Sequence, residues 1–464
     1  MAIASFDSLR SLFARHNVER IFIKLLSPKQ DNDKNQVYLG SSENGVFTLF
    51  PGTFSLSGLS PSDSVSKNKS RRGQPKPCMA LDFYWINPES NTAHQAKQTK
   101  LIEYPQYPEA RMSGFLSGAD WVPDAMRRTS LHKYGARALA LGSNRSGQTY
   151  GLVLLDGIDG IFADLKNLPR SPIQSELLYE LSIKNQHKTD KEQLLDELRA
   201  IVGEWHPSQI RRVGGQVTPF KGPAGAGNTL ESLLEISANA KKEPDKYGFE
   251  IKSFRLGGKI SLMTPTADRG YEGLHSFREF MDKYGWQSAK NPERLVFNGI
   301  YRYLKPNSGN HLVLDIQGFD EVLNAFSEDV SKIMPYLAEA RGEDAISGWS
   351  FQKLYESWSE KHAKACYVEY ESRDYQGEGD AYDKEYRYTG NIYLCEGTSI
   401  YRYLKAIVGQ SVYYDPAHEI KPNKSPSVRP QWRISATKKN FKNVLDELYG
   451  RVELVRLQDA SLCP

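Results

Sequence analysis

The stretch GPAGAGNTLESLLEISANAKKEPDKYGFEIKSFRLGGKISLMTPTAD (222–268) decides how the rest of the chain is read. It opens as a Gly-rich turn, passes into a helix carrying Leu230 and Glu231, and reaches GFEIKSF (248–254), which reads as a strand. Side chains alternate faces on a strand. Glu250 and Lys252 therefore point to one side, while Phe249 and Ile251 enter the core on the other. A turn through Lys246–Gly248 brings Asp245 toward Glu250, so two carboxylates and an amine converge at one strand end. Phosphodiester hydrolysis wants that set. Hard carboxylate oxygens hold Mg²⁺, which neutralises charge on the phosphate and acidifies a bound water. A nearby lysine positions or helps deprotonate the attacking water and balances the carboxylates.

Gly222–Thr229 nearly spells a nucleotide-binding P-loop, but Asn228 stands where the lysine that meets the phosphates is required. The run is read as a turn into the helix NTLESLLEI, with Asn228 or Thr229 as its N-cap. E-x-K alone is ordinary surface patterning. The Pro-Asp, the Gly, the strand context and the upstream helical Glu231 make the compound pattern specific.

That compound pattern resembles the core of the MvaI/BcnI group of restriction endonucleases, within the PD-(D/E)XK nuclease superfamily and similar to MutH and Sau3AI. The matching positions are Leu230-Glu231, Glu243-Pro244-Asp245, Gly248 and Glu250-Ile251-Lys252. The resemblance implies catalytic roles for Glu231, Asp245, Glu250 and Lys252, with Asp245 and Glu250 as ligands of Mg²⁺. The four residues between Asp245 and Glu250 are a shorter spacing than that of the MutH branch. The resemblance further implies a type II enzyme that hydrolyses double-stranded DNA at a short specific site, leaves 5′-phosphate ends and acts as a monomer. A cognate DNA methyltransferase is its expected genetic partner. A MutH-like nicking repair endonuclease and a catalytically silent DNA-binding protein are the alternatives.

Outward from this core, the 464 residues suit two or three domains. Hydrophobic residues at 39% and charged residues at 25% exclude bulk disorder. No apolar run approaches a membrane span, and the charged N-terminus does not read as a secretory signal. The four cysteines (Cys78, Cys366, Cys395, Cys463) are far apart and make neither a zinc knuckle nor a disulfide framework. A reduced, cytoplasmic, prokaryotic protein is expected, with no membrane partner. Residues 1–170 hold 21 Lys and Arg against 15 Asp and Glu, a net +6. The remainder holds 39 against 41, a net −2. A basic N-terminal part is compatible with a polyanionic partner.

Short apolar runs such as RIFIKLL (20–26), ALDFYWI (80–86), ARALALG (136–142) and YGLVLLDGI (150–158), broken by turn residues, predict a β-rich domain over 1–172, a barrel or sandwich. Its segment IKLLSPKQDNDKNQVYLG (23–40) resembles the DNA-reading, B3-like pseudobarrel of the EcoRII effector-binding domain. The basic loop 64–77 reads as a solvated loop or a phosphate-contacting arm. Residues 173–204 read as a helical linker, and 205–464 as the mixed α/β (α+β) nuclease domain.

Candidate DNA contacts are Lys34, Arg111, Arg211 and Arg433. Arg111 lies in YPQYPEARMSGFLSG (104–118), a DNA-facing turn or a packed strand. Arg211 lies in WHPSQIRR (205–212), a solvated helix start or a backbone clamp. Arg433 sits among Lys438, Lys439 and Lys442 beside aromatics. The nine histidines show no metal-ligand spacing, which disfavours a His-metal nuclease, and no hydrolase nucleophile elbow occurs.

Overall fold

The computed structural model describes residues 2–26, 36–41, 45–56, 76–104, 109–171, 177–183, 188–237, 244–359, 361–437 and 440–457. Lys34, Lys438 and Lys439 lie outside them, as does almost all of the 64–77 loop. The chain divides into two strand-rich units, Met1–Thr189 and Asp190–Pro464.

The N-terminal unit is built from two sheets. One has six strands, in the order Leu178–Ser182, Arg20–Leu26, Arg137–Ser143, Gln148–Leu155, Asp82–Asn87, Thr92–Gln95. The other has five antiparallel strands, in the order Gln36–Ser41, Glu109–Ser113, Lys100–Tyr104, Pro77–Ala80, Thr53–Leu56. Phe22, Phe83, Leu139 and Leu141 of the first sheet share a core with Val37, Leu39, Leu101 and Met112 of the second, so the two sheets pack on each other. The neighbouring positions Ile21, Ile23, Ala138 and Ala140 face the opposite way. They are covered by the helix α1 (Phe6–Ala14) through Leu9, Leu12 and Phe13. Burial on both faces is why RIFIKLL and ARALALG read as continuous apolar runs and do not alternate.

The stretch expected to be a helical linker divides. Leu178–Ser182 is a strand that pairs antiparallel with Arg20–Lys24 and completes the first sheet. Among the described residues of this stretch the α-helix is α2 (Asp190–Arg199), in its second half. Strand pairing with an apolar edge outweighed the helical spacing of the Leu and Ile residues.

The C-terminal unit centres on a sheet in the order Trp205–Pro207, Lys384–Thr398, Lys364–Asp374, Glu250–Phe254, with Tyr449–Arg456 also paired to the long second strand. Glu250–Phe254 runs parallel to Lys364–Asp374, with Glu250 opposite Ala365. One face is covered by α2 and by α3 (Gly225–Leu233). Leu194, Leu198, Ala226 and Leu230 pack there on Phe249, Ile251, Cys366, Val368 and Tyr388. The other face carries Glu250, Lys252 and Phe254, the last against Phe441 and Tyr393. Among the described residues no helix is long and apolar enough to cross a membrane.

WHPSQIRR is not a helix start. Its two ends are the short strands Trp205–Pro207 and Gln209–Arg211, the latter in a hairpin with Val217–Pro219. Nor do Asn228 or Thr229 cap α3. The helix begins three residues earlier, after Ala224, without a side-chain cap. Thr229 lies inside it, fully buried, and its hydroxyl accepts from the Gln209 N–H (3.0 Å), tying the hairpin to the helix. The Gly-rich run therefore serves close packing. Tyr388 donates to the Ala226 carbonyl (2.7 Å), and a Cβ on Gly225 would stand 2.2 Å from the Tyr386 hydroxyl.

Gly225→Ala should accordingly cost about 1–3 kcal/mol by overpacking. Adding Tyr386→Phe, which removes the nearest oxygen, should recover part of that loss. Urea denaturation midpoints of the wild type, the two single variants and the double variant check this. A Gly225→Ala protein as stable as the wild type would remove the packing explanation.

Candidate active site

Asp245 reaches the strand end through a tight turn. Lys246 and Phe249 exchange two backbone hydrogen bonds (3.1 and 2.8 Å) around Tyr247 and Gly248. Both central residues have positive φ, 51° and 74°. Two-residue hairpin turns of the primed kind demand that geometry. It is strained for Tyr247, and α2 supplies the hold. Glu197 accepts from the Tyr247 hydroxyl (2.6 Å) and pairs with the Lys246 ammonium (2.6 Å), which also donates to the Leu234 carbonyl. The turn returns Asp245 to the strand, where its carboxylate accepts from the Ile251 N–H at 2.8 Å.

Glu250 is 3% exposed. Its Oε1 accepts from Lys252 Nζ at 2.6 Å. Its Oε2 is buried without a hydrogen bond and stands 3.7 Å from Lys361 Nζ. Burial pushes this carboxyl up, yet the nearby cations outweigh burial and leave it below the ordinary glutamate value. His362 is not one of the effective cations at neutral pH, because its own value is depressed to about 4 by burial. Lys252 and Lys361 carry the effect. Asp245 moves the other way, raised first by burial and then by the charge of Glu250. Glu231, on α3, is raised to about 7 by burial and by Asp245. Three carboxylates thus face one another closely enough to repel.

A cation would relieve that repulsion, and the unsatisfied Glu250 oxygen is a ready acceptor, so the residues fit a divalent metal. Among the described residues, however, no three His, Cys, Asp or Glu side chains stand close enough to hold an ion by themselves. The set suits a hard ion that keeps several waters and takes only two protein carboxylates, which is Mg²⁺ behaviour rather than a closed cage. Asp245 and Glu250 are the two that could hold such an ion.

The match that decides the family covers residues 195–444, more than half of the chain, and is to the MvaI/BcnI restriction endonuclease family. The chain belongs to that family. No curated protein matches it. Among solved structures it is similar to "Restriction endonuclease MvaI-cognate DNA substrate complex" at 16% identity and a TM-score of 0.44, and to MvaI in the absence of DNA at 13% and 0.30. Each alignment covers 58% of this chain and 99% of the other. At those scores neither likeness carries further argument. As a member of the MvaI/BcnI family the protein is a restriction endonuclease, a nuclease that acts on DNA.

Of the four residues of the MvaI/BcnI-type motif, Asp245, Glu250 and Lys252 meet at one strand end, and Glu231 on α3 interacts electrostatically with all three. Each described candidate DNA contact is engaged by groups of its own unit. Arg111 is on a strand, not a turn, paired with Glu109 and stacked 5.1 Å from the Tyr104 ring centre. Arg211 donates to the Ser232 and Gly215 carbonyls and braces the hairpin on α3. Arg433 donates to Asp415 (2.7 Å) and to Ser261 (3.1 Å), sharing Asp415 with Lys259. Lys442 pairs with Asp446 at 2.8 Å.

The sequence reading missed Glu197, Lys361 and His362. His362 is fully buried against Trp358, its Nε2–H donating to the Leu262 carbonyl (3.1 Å) while Nδ1 accepts from Tyr449 (3.0 Å). With both nitrogens engaged it cannot serve as a proton acceptor for water. No local spacing announces these residues, since Glu197 arrives from α2 and Lys361 and His362 from the turn before the Lys364–Asp374 strand.

Glu231 and Glu272, the latter 3.5 Å from His418, both bind a proton more tightly in the fold than the ordinary glutamate at 4.5, each near 7. Their contribution to stability is therefore complete below pH 4.5 and lost as the pH rises through 7. In EDTA, urea stability should fall across that window. Glu231→Gln should remove part of the slope and stabilise the cation-free protein by ~2–3 kcal/mol above the window. Glu272 should keep the rest. An unchanged slope in Glu231→Gln would show that this carboxyl is not strained.

Proposed function

We propose that the protein is a type II restriction endonuclease of the PD-(D/E)XK class. In this reading it hydrolyses double-stranded DNA at a short specific sequence with Mg²⁺ and leaves 5′-phosphate ends. The observation that carries the reading is the convergence of Asp245, Glu250 and Lys252 at the start of one strand, inside the segment that places the chain in its family. Asp245 and Glu250 hold the ion, which stabilises charge on the phosphate and acidifies water. Lys252, held on Glu250 from the same face, positions the attacking water. Glu231, half-buried and repelled by Asp245, tunes the charge of the centre and shares its proton balance. The alternative of a silent DNA-binding protein is disfavoured by the cost of keeping the buried Glu250 and two half-buried carboxylates together with no chemistry to serve.

For the N-terminal unit we propose a DNA-binding role, supported by the net +6 of residues 1–170. A host carrying this enzyme would need a cognate DNA methyltransferase to protect its own sites.

Incubating the protein with phage DNA and Mg²⁺, then sequencing fragment ends, tests the reading directly. Discrete cuts at one short sequence with 5′-phosphates are expected. Lys252→Ala should lower cleavage at least about 10³-fold while leaving DNA affinity nearly intact. Asp245→Asn should be inactive in Mg²⁺, with partial rescue by the less demanding Mn²⁺. Cleavage that persists in excess EDTA would refute the metal-nuclease reading.

The N-terminal unit needs its own assay. The Leu178–Ser182 strand belongs to its sheet, so the fragment should run to Thr189. It should shift duplex DNA in a gel without cutting it, and lose affinity steeply with salt through counterion release. No shift at low salt would assign this unit a structural or protein-contact role.

A further inference from the structure

Glu250 has a cation at each of its two oxygens, and only one belongs to the sequence motif. Lys252 makes a full hydrogen bond to Oε1 at 2.6 Å. Lys361 stands 3.7 Å from Oε2, too far for a hydrogen bond. It comes from the turn between the helix Phe351–Ser359 and the strand Lys364–Asp374. Because that strand runs parallel to Glu250–Phe254 with Ala365 opposite Glu250, both strands begin at the same end of the sheet. The turn is firmly held. The next residue, His362, is fully buried, stacks 4.1 Å from Trp358, and has both ring nitrogens bonded. Lys361 therefore projects from a fixed backbone into the acidic centre, with a side chain 31% exposed beside a carboxylate that is 3% exposed. Its charge is felt by Glu231 and Asp245 as well as by Glu250.

The charge count gives the position a purpose. Three carboxylates face two ammonium groups, so the centre is net acidic by itself. Once a divalent cation engages the carboxylates, a single ammonium balances the charge that remains, and Lys252, hydrogen-bonded to Glu250, supplies it. A loosely held cation at the mouth of the site is then free to meet a phosphate, whose negative charge grows in the transition state.

We propose that Lys361 is a second catalytic cation of this centre, contacting a non-bridging oxygen of the cleaved phosphate from the side of Glu250 opposite Lys252. The proposal rests on the nuclease reading above. In the reaction the water oxygen bonds to phosphorus and releases a proton to solvent, the P–O3′ bond breaks, and the departing 3′-oxygen takes up a proton from solvent. Lys361 donates a hydrogen bond throughout and neither gains nor loses a proton.

The test uses the full chain and a duplex carrying the mapped cleavage site. Lys361→Met should lower the single-turnover cleavage rate by about 100-fold, the usual scale for removing one donor to a developing charge. Its duplex affinity in Ca²⁺ should change by less than about threefold, a kcat-type loss. Calorimetry should show Ca²⁺ bound as tightly as by the wild type, or more tightly, because a competing cation has gone from Glu250. Lys361→Arg, which keeps the charge, should retain cleavage within about tenfold of the wild type and keeps the test decisive should the Met variant fail to fold. Near-wild-type cleavage by Lys361→Met would overturn the proposal and leave Lys361 as charge balance for the cation-free protein. So would a loss of cleavage that merely follows a loss of Ca²⁺ binding. If Lys252→Ala is inactive while Lys361→Met cuts normally, only this proposal falls. A wild type that cuts no DNA in Mg²⁺ overturns both.

Discussion

The C-terminal unit is organised by the need to bury the Glu250 carboxylate. A lone carboxylate at 3% exposure would cost several kcal/mol, so its surroundings must answer the charge. The answer comes from separate places. Lys252 reaches it along the same strand face, and Lys361 reaches it across the parallel pairing with the Lys364–Asp374 strand. Replacing either lysine with a neutral group leaves the carboxylate less compensated, and replacing both would favour its protonation. Depressed Glu250 beside raised Asp245 is a familiar way of splitting two like acids, keeping one charged and leaving the other ready to ionise when a cation arrives.

The same constraint accounts for the strain nearby. Asp245 can meet the Ile251 N–H only if the chain reverses within two residues, and that reversal puts Tyr247 into left-handed backbone. Glu197 on α2 absorbs the cost by holding both Lys246 and Tyr247. The first turn of α3 must in turn sit tight against Tyr386 and Tyr388, which requires glycine at 225. Helix, turn and strand are thus a single mechanical unit. The glycines that mimic a phosphate-binding loop are there to let α3 close on the sheet and present Glu231.

The described basic candidates are held by other groups of the fold. Arg111, Arg211 and Arg433 each look like DNA contacts in the sequence, and each is engaged by a carboxylate or by backbone carbonyls. A guanidinium carries five donors, so it readily braces a hairpin or links two sheets, and nothing local in the sequence separates that use from phosphate binding. The carboxylates differ in that a buried Glu250 beside two half-buried acids is costly to keep together.

How much was legible follows from range. Alternation along GFEIKSF placed Glu250 and Lys252 on one face and Ile251 in the core. The Asp-Lys-Tyr-Gly spacing announced the turn, because both are consequences of neighbouring residues. The continuous apolar runs of the first unit likewise announced strands. Three things depended on tertiary structure. The segment 178–182 became a strand because an edge of the first sheet was there to receive it. The Gly-rich helix began at Gly225 because Tyr386 and Tyr388 close on it, and no capping side chain was needed. Lys361 entered the centre because parallel pairing aligned two strands more than a hundred residues apart in the chain. Local spacing specifies which side chains share a face, whereas which faces meet is decided by strand pairing and burial across the whole unit, and that is where the second lysine was hidden.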